Sequence, residues 1–461
     1  MTVPARVVDT QTLTPAVKGT VVQPGDSTYD SVRAIWNAMI DRRPAIIVRC
    51  ADAADVAAAI GFARGQGLEI SIRGGGHNIA GTSVCDGGVM IDLSQMRQVR
   101  VDAAARRAYV EPGALLSDVD RATLEHGLAT PLGINSTTGV AGLTLGGGFG
   151  WLTRTHGMTV DNLVSAEVVG ADGTMRRASA GENPDLFWAL RGGGGNFGVV
   201  TQFEFALHPI PPQVVAGLLV FPMAHAGEIL RQYRNFVERA PESLNVWAVL
   251  RKAPPLPFLP AEVHGQGVVV LAVFSAGDSG EAAAQIDQLR RFGPLLGEHV
   301  GPAPYGGWQQ AFDPLLAPGA RNYWKSHNFT ELSDGAIAAL ASYAGELPSD
   351  QSEIFVALVA GAANRVPADA TAYAGRDTRL VVNVHARWED AGADAACISW
   401  ARAFYAASQP FASGGAYVNF MTADEAARVP SAYGGNYARL VEMKRRFDPD
   451  NVFHVNQNIA P

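Results

Sequence analysis

The segment IRGGGHNIAG, residues 72–81, is the most informative stretch of this chain. Its three consecutive glycines follow a short apolar run, and His77 comes directly after them. Consecutive backbone N–H groups in such a loop form an anion-binding concavity, and Arg73 adds a charge suited to phosphate. An ordinary glycine-rich turn with a surface histidine is the commoner meaning of three glycines. The segment therefore needs support from the rest of the chain.

The residues around this loop predict alternating strands and helices. Ala45–Arg49 and Leu68–Ile72 have the apolar character of strands, and between them Asp52–Arg64 is an alanine-rich helix with an aspartate at its start. A dinucleotide fingerprint would open a helix and carry an acidic residue about 20 positions later. Here the next clear element is a strand at Val89–Leu93, which disfavours an NAD-dependent Rossmann enzyme.

Two more glycine clusters lie within the first 201 residues. GINSTTGVAGLTLGGGFG occupies residues 133–150, and RGGGGNFGVVT occupies residues 191–201. Glycine is used where the backbone approaches a ligand closely, so small residues over this length would let main chain lie against a planar ring system. A tightly packed buried loop is the alternative for each cluster. Three clusters together favour a large ligand held mainly by backbone.

Composition excludes several classes of protein. The chain has 461 residues, 48% of them hydrophobic, and a net charge of −8 with no long basic run, so a nucleic-acid partner is not expected. No apolar run approaches the ~20 residues that span a bilayer. Three cysteines show neither a disulfide framework nor metal-ligand spacing, so no metal is expected. Met1–Thr10 lacks an apolar signal region, which predicts a cytoplasmic protein, and no obligate protein partner is evident.

The second half of the chain predicts an α+β layer over the first half. Four strand-like runs alternate there with helical stretches such as Glu281–Arg291. Prolines 209, 211 and 212 mark a boundary. The predicted organisation is an N-terminal segment (1–38), a ligand-binding domain of two α/β subdomains (39–210), a substrate domain with an antiparallel sheet (211–413) and a tail that returns to the first domain (414–461).

Five motifs in one order resemble a known family. They are RGGGHNIAG, the 133–150 cluster, MTVDNLVSAEVVGADG (158–173), NPDLFWALRGGGGNFGVVT (183–201), and GNYARL with FDPDNVFHVNQNI near the end. This series resembles the FAD-linked oxidases of the berberine-bridge-enzyme type, within the vanillyl-alcohol oxidase and p-cresol methylhydroxylase superfamily. In overall plan it is similar to short bacterial members of the 6-hydroxynicotine oxidase type. The implied fold class is α+β, with an FAD-binding domain of the p-cresol methylhydroxylase (PCMH) type.

The resemblance also implies residue roles. His77 matches the histidine that is bonded to the flavin 8α carbon in the family. The loop from Arg73 to Ala80 matches the segment that holds the pyrophosphate, and Leu143–Gly148 matches the segment that lines the isoalloxazine. Val199 would contact the adenine, and Asn456 and Asn458 in the tail would close the flavin site. The implied cofactor-binding residues are Arg73, Gly74, Gly75, Gly76, His77, Asn78, Ala80, Asn135, Thr138, Gly139, Gly142, Leu143, Gly146, Gly147, Gly148, Val199, Asn456 and Asn458.

Two departures from the family pattern affect the expected chemistry. Many members carry a second flavin bond from a cysteine in GxCxxxGxxG, but Asn135 stands there, so a single histidyl link is expected. The position three residues later, which gates oxygen in the family, is Thr138. In the tail, a common YxNY motif is Tyr417-Val418-Asn419-Phe420, and Phe420 cannot act as a base.

A replacement base is therefore sought elsewhere. Tyr323 and Lys325, in the polar and aromatic run Tyr323–Ser326, are predicted to face the substrate, the alternative being core packing with Lys325 reaching solvent. Tyr417 is the third candidate catalytic residue, although packing beside the flavin is its commoner role. His385 alternates with valines and points either into the cleft or, more commonly, into the core.

The predicted function is FAD-dependent removal of a hydride from a C–H bond next to O or N of a small organic substrate. O2 would reoxidise the flavin and give H2O2. The alternatives are a dehydrogenase with another electron acceptor and a flavin-binding protein without turnover. A sugar, an alkaloid-like amine and a polyketide-derived alcohol all remain open as substrates, with a C–N bond or an alcohol assisted by Tyr323 or Lys325 favoured.

Overall fold

The first layer of the fold is a four-stranded sheet that carries the segment following residue 72. The structure, a computed structural model, describes residues 8–461, so Met1–Val7 of the predicted N-terminal segment lie outside the described residues. The sheet order is β1-β2-β4-β3, with β2 and β3 both parallel to β4. Its elements are β1 (Thr20–Val22), α1 (Tyr29–Arg33), β2 (Ile46–Arg49), α2 (Ala53–Gln66), β3 (Ile70–Arg73) and β4 (Val89–Asp92).

Helix α2 begins and ends where its sequence indicates. The Asp52 side chain accepts hydrogen bonds from the backbone N–H groups of Ala54 and Asp55, which caps the first turn. Gly67 takes the left-handed conformation that ends the helix. Strand β3 then delivers the glycine loop and His77 at its carboxyl end, the edge where ligands bind in sheets of this kind.

A second sheet completes the first half of the chain. Its order is β5-β6-β10-β8-β9, with antiparallel neighbours, and a separate two-stranded ribbon joins β7 to β11. The strands are β5 (Val99–Asp102), β6 (Arg107–Val110), β7 (Leu128–Ala129), β8 (Leu163–Val169), β9 (Met175–Ser179), β10 (Val199–Ala206) and β11 (His208–Pro209). The helices are α3 (Leu116–Leu124), α4 (Val140–Leu145), α5 (Thr153–His156) and α6 (Pro184–Leu190).

The second half forms one antiparallel sheet of seven strands, in the order β15-β12-β14-β13-β17-β18-β16. Helices cover one of its faces, and the other faces the first half of the chain. The strands are β12 (Gln213–Pro222), β13 (Leu244–Lys252), β14 (Gly267–Ser275), β15 (Gly297–Pro304), β16 (Arg321–Phe329), β17 (Glu353–Leu358) and β18 (Leu380–Trp388). The helices are α7 (Ala226–Val237), α8 (Ser279–Leu289), α9 (Tyr305–Gln309), α10 (Asp334–Ala344), α11 (Ala362–Arg365) and α12 (Asp394–Ser408).

The tail folds back onto the first half of the chain. It contains helices α13 (Val429–Tyr433) and α14 (Tyr437–Phe447), and α14 packs against α6. Buried Lys444 donates to Asp448 at 2.7 Å and to the Asn196 carbonyl at 2.9 Å, and Phe453 lies in the core of the first sheet. The predicted α+β class is confirmed. Over residues 8–461, no helix has the length and apolarity needed to cross a membrane.

Candidate active site

A cavity of ≈ 370 Å³ lies between the glycine-rich loops of the first half and the open face of the seven-stranded sheet. Its first wall, called here the loop wall, consists of backbone-rich segments: 74–78, 133–143, 194–200, 417–420 and 455–457. Its second wall, the sheet wall, presents alternate residues of several strands: Leu218, Trp247, Val249, Arg251, Val270, Ala272, Trp324, Glu353, Phe355 and His385. Alternation along each strand places these side chains on one face.

Direct backbone contact builds the loop wall. A Cβ atom at Gly75 would lie 2.4 Å from the backbone nitrogen of Gly139, and a Cβ at Gly139 would lie 2.3 Å from that of Gly75. The loop after β3 and the loop before α4 therefore touch through positions that admit only glycine. At Gly142 and Gly195, which also line the cavity, no protein atom lies within 4 Å of a Cβ. Those two positions leave open space for a ligand.

His77 is held in one tautomer beside this wall. The Thr137 hydroxyl donates to Asn135 Oδ1 at 2.7 Å, so its oxygen accepts from His77 Nε2 at 3.2 Å. Nε2 therefore carries the proton, and Nδ1 keeps its lone pair. The Trp36 indole stacks on the imidazole, with ring centroids 4.5 Å apart. Burial, with a smaller effect of the Arg387 charge, lowers the pKa of His77 to about 3, so the ring is neutral.

Several buried polar atoms around the cavity lack a protein partner. Ser83 Oγ, Tyr433 Oη and Asn456 Oδ1 belong to residues that line the cavity, and none has a hydrogen-bond partner among residues 8–461. Leaving such groups unpaired costs stability. Their arrangement fits a ligand that carries many hydrogen-bonding groups.

Four residues form a row across the sheet wall. Arg251 is opposite Glu353, Glu353 is opposite His385, and His385 is opposite Trp324 on adjacent strands. Arg251 donates to Glu353 Oε2 at 2.8 Å. Burial alone would raise the pKa of Glu353, but the Arg251 charge and the adjacent His385 offset that effect and hold it below its ordinary value. The carboxylate is therefore ionised.

The sheet register corrects the prediction for Tyr323 and Lys325. Trp324 faces the cavity, so its two neighbours project from the opposite face of β16. There the Tyr323 hydroxyl donates to Asp424 at 2.7 Å, and Lys325 donates to Asp424 at 2.8 Å. Neither residue lines the cavity. Of the run Tyr323–Ser326, only Trp324 lines the cavity.

Arg73 is the second correction. Its guanidinium pairs with buried Asp92 at 2.7 Å and donates to the carbonyls of Val32 and Ala34. With these partners Arg73 supports the glycine loop on the side away from the cavity. It does not line the cavity, so it is not placed for the predicted phosphate contact.

The other predicted cofactor residues divide into two groups. Those outside the cavity lining are Ala80, Gly146, Gly147, Gly148 and Asn458, and those within it are Gly74, Gly75, Gly76, His77, Asn78, Asn135, Thr138, Gly139, Gly142, Leu143, Val199 and Asn456. Tyr417 lines the cavity, and its hydroxyl oxygen accepts from Gly148 N–H at 3.0 Å and from Asn419 Nδ2 at 3.1 Å. Burial raises its pKa to about 12.

Sequence reasoning missed Trp36 and most of the sheet wall. Trp36 lies in the segment before β2, which carries no glycine or charge pattern to mark it. Arg251, near the end of β13, and Glu353, at the start of β17, are 102 residues apart in sequence. Only the strand register could have united them. His385, left open between cleft and core, lies in the cavity wall.

The chain matches two family models and several curated relatives. Residues 44–179 match the FAD binding domain, and residues 416–460 match the berberine and berberine-like model. An uncharacterized FAD-linked oxidoreductase YgaK of Bacillus subtilis is 31% identical over 453 residues, 96% of this chain and 97% of the relative. The (R)-6-hydroxynicotine oxidase of Paenarthrobacter nicotinovorans is 30% identical over 467 residues, covering 97% of each.

This chain belongs to the berberine-bridge-like family of FAD-linked oxidoreductases. A crystal structure of 6-hydroxy-D-nicotine oxidase from Arthrobacter nicotinovorans superposes with a TM-score of 0.87 at 28% identity, over 96% of this chain and 98% of that one. These comparisons confirm the predicted family. They also confirm the predictions that the protein is an enzyme and that it is an FAD-dependent oxidoreductase.

The cavity of this FAD-linked oxidoreductase suits the cofactor. The open positions at Gly142 and Gly195 would accommodate flat ring systems, and the unpaired Ser83, Tyr433 and Asn456 atoms would meet its polar groups. His77 stands at the junction of the two walls, because it stacks on Trp36 and the Trp36 indole contacts Trp324 of the sheet wall, with ring centroids 5.6 Å apart. The residues present therefore fit FAD.

Proposed function

We propose that this protein is an oxidase that carries FAD on His77 and oxidises a small, mainly apolar and aromatic compound at a C–H bond next to O or N. When bound, FAD accepts a hydride from the substrate. O2 is the proposed electron acceptor and H2O2 the second product. The observation that carries the proposal is the lone pair left on Nδ1 of His77 at the junction of the two cavity walls.

The covalent attachment uses His77 alone in this proposal. With FAD bound, a bond from His77 Nδ1 to the 8α carbon would replace one methyl hydrogen and the imidazole N–H hydrogen, and the two electrons and two protons released would reduce the flavin. O2 would then take up those two electrons and two protons as H2O2. Asn135, which stands at the family's cysteine position, orients Thr137 instead. Cys50, Cys85 and Cys397 are buried outside the cavity lining.

The character of the sheet wall supports an apolar, aromatic substrate. Trp247 and Phe355 stack with centroids 6.0 Å apart, and aliphatic side chains surround them. The charged groups of this wall, Arg251 and Glu353, already pair with each other. A sugar, whose hydroxyls need many polar partners, matches this wall poorly. An aromatic amine or benzylic alcohol matches it well.

The attachment is tested by acid precipitation and peptide mass mapping. We expect FAD to remain with the precipitated protein and to map to the peptide that contains His77. His77→Ala should bind FAD that is released on denaturation, because the backbone contacts remain. Thr137→Val, which removes the partner of Nε2, should lower the covalent fraction severalfold. Flavin on any of the three cysteines would contradict the single link.

The reaction is tested by anaerobic bleaching of the flavin. We expect aromatic amines and benzylic alcohols to bleach it and mono- and oligosaccharides to leave it oxidised. On admission of air, the absorbance should return with one equivalent of H2O2. A flavin that stays reduced in air would indicate a dehydrogenase, and a flavin bleached by none of these compounds would contradict an enzyme of this substrate class.

A further inference from the structure

We infer that His385 is the proton acceptor of this site and that Glu353 stabilises the charge the imidazole acquires. The inference deepens the proposed oxidation and rests on it. Both side chains line the cavity, and the register of β17 and β18 places them directly opposite each other on the same face of the sheet. Nδ1 of His385 lies 3.8 Å from Glu353 Oε1.

The hydrogen-bond network fixes the tautomer of His385. The Asn322 amide is oriented by two neighbours: its Nδ2 donates to the Ala320 carbonyl at 2.8 Å, and its Oδ1 accepts from Arg387 at 3.2 Å. Because arginine only donates, Oδ1 is the acceptor atom. Oδ1 therefore also accepts from His385 Nε2 at 2.9 Å, so Nε2 carries the proton.

Nδ1 is consequently the free basic atom of the ring. It has no hydrogen-bond partner within 3.5 Å among residues 8–461, and the 3.8 Å gap to Glu353 is too long for a hydrogen bond. Burial, against a smaller opposing effect of Glu353, keeps the pKa of His385 below its ordinary value, so the ring is neutral at neutral pH. A neutral imidazole with an exposed lone pair is the form a general base requires.

Glu353 has the right charge to stabilise the product of proton transfer. Its Oε2 is held by Arg251, while Oε1 is the oxygen that faces His385. Protonation of Nδ1 would create an imidazolium beside an ionised carboxylate in a largely buried wall, where opposite charges attract more strongly than in water. The titratable or charged groups that face the ring are Glu353 on β17, Arg251 on β13, Arg387 on β18 and, beyond Trp36, neutral His77.

This assignment also accounts for Phe420 at the usual tyrosine position. Phe420 contacts Trp324 at 5.2 Å between ring centroids, and Trp324 contacts His385 at 4.9 Å. One indole thus separates the position without a hydroxyl from the candidate base. In the step itself, the substrate hydroxyl proton goes to Nδ1 while the adjacent carbon loses a hydride to oxidised FAD. The products are a carbonyl compound, an imidazolium and two-electron-reduced FAD, which O2 reoxidises to give H2O2.

The first experiment reads the tautomer without turnover. In holoenzyme labelled with ¹⁵N in the histidine rings, long-range ¹⁵N–¹H correlation is assigned for residue 385 by comparison with His385→Gln. We expect a protonated Nε2 and an unprotonated Nδ1 at neutral pH. Asn322→Ala should disturb that pattern, whereas His156→Gln, at a histidine outside the cavity, should leave it unchanged. A protonated Nδ1 in the wild type would overturn the inference.

The second experiment compares benzyl alcohol with benzylamine in rapid anaerobic flavin reduction. The two differ in the heteroatom beside the carbon that loses hydride. His385→Gln should slow reduction by the alcohol about 10²–10⁴-fold. It should slow reduction by the neutral amine far less, so that the ratio of the two rates changes, because the lone pair of the amine assists the step. Glu353→Gln should slow the alcohol by about tenfold and shift its pH profile.

The two proposals fail in different ways. If wild-type flavin is bleached by both compounds and His385→Gln reduces equally fast with the alcohol, the base assignment is wrong and the oxidase proposal stands. If the protein retains no FAD, the oxidase proposal fails. If neither compound bleaches wild-type flavin, the proposed substrate class is contradicted, and the base assignment that rests on it is contradicted with it.

Discussion

The two walls of the cavity are built by different physical means. In the loop wall, short glycine-rich motifs supply the backbone that lines the cavity. The close contact between Gly75 and Gly139 shows how tightly these loops pack. In the sheet wall, Arg251, Glu353, His385 and Trp324 come together only through antiparallel register across four strands. The loop wall therefore depends on local sequence motifs, whereas the sheet wall depends on the pairing of strands that are distant in sequence.

The sharpest test of the loop wall is Gly75→Ala. The added methyl carbon would lie 2.4 Å from the Gly139 nitrogen, so the two loops must separate. We expect complete loss of retained FAD, measured as the flavin-to-protein absorbance ratio. Gly61→Ala is the matched control, since its methyl group in α2 meets no atom within 4 Å and alanine favours a helix by about 0.5–1 kcal/mol.

A third glycine separates misfolding from lost binding. Gly142→Ala meets no protein atom within 4 Å but occupies space in the cavity. We expect its apoprotein to unfold at or slightly above the wild-type temperature, because alanine also favours helix α4, and to bind FAD more weakly. Full FAD content in Gly75→Ala would show that the two loops are not held by that contact.

The sheet wall is tested by three neighbours on β16. Trp324 lines the cavity and contacts His385, whereas Tyr323 and Lys325 bind Asp424 on the other face. Trp324→Ala should slow flavin reduction by the best substrate about 10²-fold through lost positioning. Tyr323→Phe and Lys325→Met should change that rate less than about threefold and act on stability instead. A large rate loss in Lys325→Met would restore the prediction from sequence.

These neighbours also show why the sequence predicts the two walls unequally. The glycine motifs predicted the loops and His77, because a backbone in contact with a ligand restricts residue type locally. Most strands of the large sheet are visible as apolar runs, but β16, with six polar residues in Arg321–Asn328, lacks that pattern. Without the pairing partner of each strand, nothing assigns Tyr323 or Trp324 to the cavity side. A shift of one residue exchanges the two faces.

Asp120 offers a last test where helices α3 and α9 meet the start of the loop wall. It lies on α3, and its Oδ2 accepts from Gln309 Nε2 on α9 at 3.2 Å; the same nitrogen donates to the Gly133 carbonyl at the start of the loop wall. Burial raises the pKa of Asp120 to about 7, against about 3.9 for an unfolded chain. The native state thus binds more protons than the unfolded state between those values. The stability this group contributes is full below about pH 4 and is lost as the pH rises to about 7.

Asp120→Asn should remove that dependence. Between about pH 5 and about pH 7, the wild-type free energy of unfolding should fall relative to the variant by up to about 1.4 kcal/mol per pH unit. The measurement is urea unfolding of both proteins across this range, with flavin content as a check that the cavity is intact. Because the asparagine keeps an acceptor for Gln309, flavin content should stay unchanged. Equal slopes for the two proteins would mean that Asp120 is ionised throughout this range and that its pKa is not raised by burial.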